Sequence, residues 1–227
     1  MIEVDLAQSS VRELNQRLHR IGPGDNEHHW RVVSPNGAHA IAVGLTAPVH
    51  VEIRGHVGYY CAGMNALATV VVDGHAGTGL AENIMSGSVR VRGNAAQSAA
   101  ASGRGGLVII DGDASARCGI SMKGVAIVVG GSVGHMSAFM GQAGTLVVCG
   151  GAGHDLGDSI YEADIFVAGE VASLGADCIE KEMTPADVDR VAALLGCAQI
   201  VEDAGRFRHY GSARRLYNFL IDHAAEY

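Results

Sequence analysis

The sequence predicts an all-β solenoid, a right-handed parallel β-helix of about seven 19-residue coils flanked by short terminal helices. The first observation is a glycine at every nineteenth position, a column formed by Gly55, Gly74, Gly93, Gly112, Gly131, Gly150 and Gly169. The second is that the residues two and four positions before each glycine are all Val, Ile or Leu, an alternation with the period of a strand. The third is that the residues two and seven positions after each glycine are only Gly, Ala or Val.

Each repeat is expected to form one coil, because a unit of this length cannot bury its own apolar face and must stack on its neighbours. At roughly 3.3 Å per residue a coil traces about 60 Å, enough for three short strands separated by turns. The repeated glycine provides a backbone angle or a close approach that a side chain would prevent. The composition agrees, since 32 Gly but only 4 Phe and 1 Trp leave a narrow core of small aliphatic side chains.

The position before each glycine carries alternating charge in the first four coils, namely Arg54, Asp73, Arg92 and Asp111. Neighbouring strands lie about 4.8 Å apart, so these side chains are expected to form a ladder of opposite charges. A slip of one coil would bring like charges together. The ladder is therefore expected to contribute more to register than to stability.

An N-terminal region, residues 1–48, is expected to contain a helix and an irregular cap. Ser10 and Glu13 have the spacing of a capping box, and apolar residues follow at helical spacing, which predicts a short helix through Arg20. The stretch from Gly22 to Pro48 mixes glycine, proline and a His-His-Trp cluster with a Val-Val pair. An irregular first coil is consistent with that mixture.

The predicted β-helix occupies residues 49–182, and a helical tail occupies residues 183–227. In the tail, Thr184 provides an N-cap before a first-turn proline, an apolar face follows, and Gly196 is expected to end the helix. A second helix is expected to start at Ser212.

The tail is enriched in aromatic and arginine side chains, a composition typical of binding hot spots. The residues predicted as a possible partner interface are Phe207, Tyr210, Arg214, Arg215, Tyr217 and Phe219. The alternative is that both terminal regions cap the open ends of the β-helix, whose unpaired strands would otherwise recruit other chains. The two roles are compatible.

Charge and segment patterns exclude several classes of partner. The formal net charge of -8 disfavours a nucleic-acid or anionic-membrane binder, because both need positive charge. The first residues lack the order of a secretory signal, and no segment reaches the roughly 18 apolar residues of a membrane span. A cytoplasmic protein is therefore expected. The five cysteines are odd in number and form no CxxC pair, which favours reduced, packed thiols over disulfides or zinc ligands.

Histidines are the main candidates for chemistry, because stacking brings two pairs together. His56 and His75 share one column, and His135 and His154 share another. Two histidines without a third ligand are incomplete for zinc, so a polar ladder and a metal site both remain open. GxSxG, P-loop and HExxH motifs are absent. We therefore assign no catalytic, cofactor-binding or metal-ligating residue, and the chain by itself is predicted to be a scaffold.

The coil pattern resembles the GXGXG β-helix domain that ends the large subunit of glutamate synthase and forms a separate subunit in related complexes. The G-x-x-G units that carry this resemblance are Gly55–Gly58, Gly74–Gly77, Gly131–Gly134 and Gly150–Gly153. The tail from His209 to Leu216 is also similar to the C-terminal motif of that family. Its ending is most similar to that of the small β-helix subunits of N-methylglutamate synthases.

The resemblance implies that sister chains carry the chemistry. An amidotransferase-like subunit and a glutamate-synthase-like subunit with FMN and an iron–sulfur cluster would form a hetero-oligomer with this chain. That complex would convert glutamate and methylamine to N-methylglutamate and ammonia. The chain itself would hold no cofactor and would keep the two active subunits at a fixed separation.

Three alternatives remain open. Within the same family, the chain would be the β-helix subunit of a formylmethanofuran dehydrogenase or of a formyltransferase/hydrolase complex. From another class, it would be a stand-alone metalloenzyme or acyltransferase on a left-handed β-helix, although such folds use six-residue repeats and 19 is not a multiple of six. The third is a homo-oligomeric structural protein without an enzyme partner.

Overall fold

The structure is a computed structural model that describes residues 1–22 and 28–213. As the sequence predicts, it is a parallel β-solenoid with two short α-helices in the described residues. The strands are β1 (Ile2–Asp5), β2 (His29–Val33), β3 (His50–Arg54), β4 (Thr69–Asp73), β5 (Ser88–Val91), β6 (Leu107–Ile110), β7 (Lys123–Val129), β8 (Ala143–Val148), β9 (Asp164–Val167), β10 (Cys178–Lys181) and β11 (Arg208–Ser212). The helices are α1 (Val11–Leu18), α2 (Pro185–Ala198) and the 3-10 helix Ala204–Arg206.

The strands from β3 to β9 stack in parallel at the predicted interval of 19 residues. Val51 lies opposite Val70, and Val70 lies opposite Val89. The same column continues through Val108, Ile127, Leu146 and Ile165. All of its members are fully buried. This column and the one two residues later form the narrow aliphatic core that the composition indicates.

The expectation of three strands per coil is wrong. Each coil contains one regular strand and one single-residue bridge of a common column, and the last two coils add a bridge between Leu156 and Leu174. The bridge residues stand two positions after each glycine of the column and are Val57, Ala76, Ala95, Ala114, Val133, Ala152 and Val171. Extended backbone is therefore limited to one side of the coil and a single point on a second side.

The third side of each coil consists of alternating left-handed residues in place of an extended strand. In the coil that follows Gly55, the residues Tyr60, Ala62 and Met64 have φ angles of 59°, 53° and 55°. Their N–H groups point alternately to the two neighbouring coils, because Ala62 donates to the Ile41 carbonyl and Tyr60 to the Thr78 carbonyl, each at 2.9 Å or less. β-branched side chains are disfavoured at positive φ. Burial together with this conformation explains why the position seven after a glycine holds Ala or Gly in the first six coils of the column; Ala176, in the seventh, is exposed.

The N-terminal cap begins with β1, which pairs in parallel with β2. Helix α1 follows, and its capping box is formed as predicted: the Glu13 N–H donates to Ser10 Oγ at 3.2 Å and the Ser10 N–H donates to Glu13 Oε2 at 2.8 Å. Leu14 and Leu18 are buried against the first coils. The helix ends at Leu18, two residues before the predicted end. The first coil is regular at β2, which pairs with β3 along its whole length.

The C-terminal cap reverses the strand order. Strand β11 inserts antiparallel between β9 and β10. The prediction of a helix starting at Ser212 is wrong at its first residue, because Ser212 lies in β11 opposite Cys178. The rest of that predicted helix lies outside the described residues. The N-terminal region thus adds the outermost strand at one end of the sheet, as the capping hypothesis expects, whereas at the other end the tail strand β11 lies inside the sheet and β10 is the edge strand.

Helix α2 starts where the sequence predicts and runs past its predicted end. The Thr184 side chain accepts from the Asp187 N–H, and Pro185 occupies the first turn. The helix continues through Gly196 to Ala198. Gln199 is its C-cap and adopts a left-handed conformation with φ of 57°. Gly196 does not end the helix because Gln199, three residues later, takes the conformation that a C-terminal glycine would provide.

A second core lies outside the coil, between α2 and the strand face. Three positions before each glycine the side chain points outward, and in β6–β9 this column is apolar: Ile109, Val128, Val147 and Phe166. These side chains pack against Val191, Leu195, Ala198, Ala204 and Phe207. In β3–β5 the same column holds Glu52, Val71 and Arg90 and is not covered by α2. In the sequence, the change from charged to apolar residues along this outward column indicates where another element covers the strand face.

Candidate functional site

The glycine column is a line of contact between coils. The Gly93 N–H donates to the Gly74 carbonyl at 3.0 Å, and the Gly112 N–H donates to the Gly93 carbonyl at 3.1 Å. A Cβ atom added to Gly74 would lie 2.5 Å from the Gly55 carbonyl carbon and oxygen. Gly55 itself needs a φ of 128°. Close approach is therefore the main requirement in this column, and its role is structural.

The column after the glycines is an uninterrupted polar ladder. His56 Nδ1 accepts from the His75 N–H at 2.9 Å, and His75 Nδ1 accepts from the Asn94 N–H at 2.9 Å. Asn94 Oδ1 accepts from the Asp113 N–H at 3.0 Å, and Asp113 Oδ1 accepts from the Ser132 N–H at 2.7 Å. The two imidazole rings stack with centroids 4.8 Å apart. An accepting Nδ1 leaves the proton of a neutral ring on Nε2, so neither nitrogen offers a free lone pair to a metal. This geometry favours the ladder over the metal site.

The second histidine pair lies at the surface near a serine and an aspartate. His154 Nδ1 is 3.4 Å from Ser173 Oγ, which also accepts from the Asp155 N–H at 2.9 Å. The Asp155 carboxylate contacts the Ser173 hydroxyl at 3.4 Å. In a catalytic triad the carboxylate contacts the imidazole instead. His135 and His154 are both exposed. The arrangement has the residue types of a triad without its connectivity.

Metal and thiol chemistry find little support in the described residues. Over 1–22 and 28–213, no three His, Cys, Asp or Glu side chains are placed to hold a metal ion. All five cysteines are free thiols. Burial raises the pKa of Cys61 and of Cys118 to about 12, so these two thiols stay protonated at neutral pH. Cys178 is also buried, Cys149 is half-buried, and Cys197 is exposed on α2. The prediction of packed thiols is therefore correct for the three buried cysteines and wrong for Cys197.

Two of the surface cavities in the described residues are lined by charged side chains. A cavity of about 60 Å³ beside Glu52 and Asp73 is too small for a metabolite, since ligand pockets span about 300–1,000 Å³. A wide, open cavity of about 380 Å³ lies between β1 and α1. Among its lining residues, Glu13 is engaged in the capping box and Arg17 lies over the Trp30 ring at 4.7 Å. Its polar groups therefore stabilise the cap helix.

The uncovered part of the strand face carries a network of ion pairs. Arg54 contacts Asp73 at 2.9 Å, which confirms the first pair of the predicted charge ladder, and also contacts Glu52 at 3.1 Å. Asp111 pairs with Arg90 at 2.9 Å and not with Arg92. The second ion pair therefore joins two different columns: Arg90 stands three positions before its glycine, and Asp111 stands one position before the next. Arg90 is also less exposed than Arg92.

A partly buried charged cluster joins the C-terminal cap to the last coil. We call Asp164, Asp187, Arg190 and His209 the cap cluster. Arg190 contacts Asp164 at 2.8 Å and Asp187 at 2.6 Å. His209 Nε2 lies 2.7 Å from Asp164 Oδ1, and its ring stacks on Phe166 with centroids 4.7 Å apart. The cluster ties one residue of β9 to α2 and to β11.

Hydrogen bonding sets the charge state of the two carboxylates. Burial by itself raises the pKa of Asp164, but hydrogen bonds from His209 and Arg190 outweigh it and hold that pKa below its usual value. Burial also opposes ionisation of Asp187, and hydrogen bonds from Thr184 and Arg190 keep its pKa low as well. His209 is only 7% exposed, with a carboxylate beside each ring nitrogen. It therefore fastens the cap and is not available to a substrate.

The predicted interface residues fall into two groups. Phe207 is 3% exposed in the second core, and Tyr210 is 2% exposed in the main core, so both side chains are occupied within the chain. Their aromatic character is explained by packing. Arg214, Arg215, Tyr217 and Phe219 lie outside the described residues, and their interface role stays a prediction.

An exposed apolar surface that sequence reasoning missed lies on the third side of the first two coils. We call Tyr60, Met64, Leu67 and Met85 the apolar patch. Their exposed fractions are 50%, 52%, 56% and 48%. No repeat in the sequence signals this surface, because the residues 19 positions after Tyr60, Met64 and Leu67 are Gly79, Asn83 and Ser86. Tyr60, Met64 and Leu67 have positive φ angles, a backbone conformation that the sequence does not reveal. Exposed patches of large apolar side chains commonly mark interaction sites.

The fold defines a class, the parallel β-solenoids with coils of about 19 residues. The chain is 63% identical over 225 residues to "Protein GlxC" of Rhizobium meliloti (strain 1021), and the match covers 99% of each chain. The chain belongs to the GlxC family. Family models of protein domains give no match, and no solved structure gives a significant one. Neither helix in the described ranges is long and apolar enough to cross a membrane.

Proposed function

We propose that this chain is a non-catalytic scaffold subunit of a glutamate-synthase-like complex. An amidotransferase-like subunit and a subunit carrying FMN and an iron–sulfur cluster would perform the chemistry in that complex. One observation carries the proposal: the stacked polar side chains from His56 to Ser132 bind the backbone of the next coil, while large apolar side chains are left exposed. A chain built in this way favours rigidity and docking over catalysis.

Rigidity follows from the hydrogen bonds between coils. Backbone groups on the strand, at the bridge and on the left-handed side all bond to neighbouring coils, and the polar ladder adds side-chain bonds. Each coil therefore advances the rod by about one strand spacing of 4.8 Å. A rod of this kind keeps two attached subunits at a constant separation. Such a separation matters when a small intermediate such as ammonia must pass between two sites.

The particular complex we propose is an N-methylglutamate synthase. The G-x-x-G coils support the glutamate-synthase relationship, and the ending from His209 to Leu216 supports this member of the family. In that reaction glutamate and methylamine yield N-methylglutamate and ammonia. A formylmethanofuran-type complex would instead handle one-carbon units, so methylamine-dependent formation of N-methylglutamate by the purified complex distinguishes the two.

The test is removal of this subunit from the native complex. We expect the amidotransferase-like and flavin-containing subunits to remain folded and to keep their partial activities, while methylamine-dependent formation of N-methylglutamate is lost. Adding back the purified chain should restore the coupled reaction. Coupled turnover that continues without the chain, or turnover by the chain alone, would contradict the scaffold function. Zinc bound stoichiometrically to the purified chain would favour a stand-alone metalloenzyme.

A further inference from the structure

The apolar patch is continued by two cations along the same edge of the rod. Met85, Arg104 and Lys123 occupy equivalent positions in three consecutive coils, 19 residues apart. The Arg104 N–H donates to the Ile84 carbonyl at 2.7 Å, and the Lys123 N–H donates to the Gly103 carbonyl at 2.7 Å, so the coils are in direct contact there. Both cationic side chains are exposed.

Arg104 and Lys123 differ from the paired arginines of the strand face. On the strand face, Arg54 and Arg90 contact carboxylates. Among the described residues, neither Arg104 nor Lys123 has a side-chain hydrogen bond or an ion pair. Arg104 and Lys123 stand one coil apart in the column that begins with Met85, in a chain of net charge -8. They provide a local positive surface directly beside exposed methionines.

We propose that the apolar patch together with Arg104 and Lys123 docks a partner subunit through a segment with apolar side chains followed by carboxylates. Methionine and tyrosine are adaptable contact residues that are enriched in interfaces. Cations at the rim favour an acidic partner and fix its direction along the rod. The occupant is thus a different protein whose docking segment is acidic at the end that meets Lys123.

A second copy of this chain fits the surface less well. A two-fold axis through the middle coils would place Arg104 and Lys123 of two copies against each other, and like charges at an interface centre are repulsive. The tail beyond Ala213 starts at the opposite end of the rod, because the Ala213 N–H donates to the Asp177 carbonyl in the last coil. Both remain as outcomes of the test.

The inference rests on the proposed function, since that function supplies the partner subunits used to test it. The experiment compares the full chain alone with the chain in its native complex. Each sample is treated briefly with hydrogen peroxide, and sulfoxide formation at each methionine is measured by peptide mass spectrometry. Met1 is 73% exposed and Met122 is fully buried, so they serve as the reactive and unreactive references. Light scattering gives the oligomeric state of the free chain.

We expect Met64 and Met85 to oxidise in the free monomer and to be protected in the complex. The double variant Arg104→Glu with Lys123→Glu should lose the flavin-containing or amidotransferase-like subunit during purification. The matched control, Arg12→Glu with Arg92→Glu, makes the same change in net charge on other surfaces and should retain it. Melting temperatures of both variants show whether each is folded.

The contrary outcomes are distinct. Partners that co-purify while Met64 and Met85 oxidise at the free rate would overturn this inference and leave the scaffold function intact. Protection already present in a free monomer would make the chain's own tail the occupant, and protection in a free dimer would make a second copy the occupant. A chain that purifies without any partner would overturn both the inference and the proposed function.

Discussion

At the residue scale, the stacking of this protein depends on positions where two backbones meet without room for a side chain. A Cβ on Gly74 would lie 2.5 Å from the Gly55 carbonyl, and one on Gly169 would lie 2.6 Å from the Gly150 oxygen. The periodic glycines of the sequence predicted these contacts correctly. Periodicity could not distinguish close approach from an unusual backbone angle, since both need glycine. Among the seven, only Gly55 has a positive φ.

Alanine at Gly74 should destabilise the solenoid. The new methyl group meets backbone atoms, which cannot move aside without separating two coils, so we expect a loss of about 1–3 kcal/mol in the free energy of unfolding. Gly196 is the matched control, because it lies inside α2 and a Cβ there has no neighbour within 4 Å. Gly196→Ala should gain about 0.5–1 kcal/mol. Denaturant unfolding measures both, and equal effects would contradict the close-contact explanation.

The polar ladder makes a second prediction at this scale, about the tautomers of His56 and His75. Each Nδ1 accepts from the backbone N–H of the next coil, so each neutral ring should carry its proton on Nε2. Two-bond nitrogen–proton NMR spectra of the imidazoles distinguish the two tautomers. Predominant Nδ1–H forms would show that the ladder is not made. The exposed His135 offers a comparison in the same spectrum.

At the element scale, the decisive feature is the docking of α2 on the outward face of β6–β9. The apolar stripe of the helix was predictable from Val188, Val191 and Leu195, since these residues recur at helical spacing. Its partner surface was not predicted, because Val128 and Val147 lie in a column that points away from the coil's own core. A strand that is buried on both faces does not alternate between apolar and polar residues. The sequence of such a strand therefore does not say which element covers its second face.

The same substitution in one column should cost much more stability under α2 than on the uncovered strand face. Val128 is fully buried under α2, so Val128→Lys should cost about 3–5 kcal/mol, the range for an uncompensated buried charge. Val71 is the equivalent residue on the uncovered strand face, beside Glu52 and Asp73. Val71→Lys should change the free energy of unfolding by less than about 0.5 kcal/mol. Thermal and denaturant unfolding measure the contrast, and similar losses would contradict the covering role of α2.

The cap cluster predicts how α2 docking depends on pH. The pKa values of Asp164 and Asp187 are lower in the folded chain than the usual value of about 3.9. The unfolded chain therefore binds more protons near that pH, so the stability contributed by these carboxylates is present above about pH 4 and is lost as the pH falls further. Unfolding free energies measured at neutral pH and at about pH 3 should show this loss.

A matched variant separates the cap cluster from general acid effects. Asp164→Asn cannot ionise, so it should be less stable than the native chain at neutral pH and should lose less stability on acidification. Asp189 lies on the same helix, and the contacts of the cap cluster do not include it, so Asp189→Asn should behave like the native chain. Equal acid sensitivity of Asp164→Asn and the native chain would exclude the cap cluster as the cause.

At the scale of the whole molecule, the chain is a stack of equivalent coils with terminal segments added to it. Consecutive coils contact one another in order along the sheet, β1 and α1 lie at its N-terminal end, and α2 covers the outward face of β6–β9. Stability in such a solenoid is approximately a sum of coil terms and interface terms. The interval of 19 residues is therefore the unit in which the molecule tolerates change.

Removal of one whole coil should preserve the fold. Deleting residues 75–93 joins Gly74 to Asn94, keeps every column in register and brings the Asn94 N–H to His56 Nδ1. The product should retain the circular dichroism spectrum and unfold cooperatively, with a rod shorter by about 4.8 Å. Deleting only residues 75–83 shifts the inward column out of register and should prevent folding. A folded half-coil deletion would contradict the stacked-column architecture.

The sequence by itself determined the interval, the inward aliphatic column and the positions where only glycine fits, because equal spacing along the chain becomes equal position in a stack. It also indicated the starts of α1 and α2, since capping residues act within a few positions. Only the tertiary structure decided that α2 covers half of the strand face, that β11 inserts beside β9 and that His209 reaches Asp164. The contacts of Asp164 with Arg190 and with His209 join residues 26 and 45 positions apart, and neither separation is the repeat interval. Periodicity records contacts between equivalent residues, whereas a cap is made from residues that occur once.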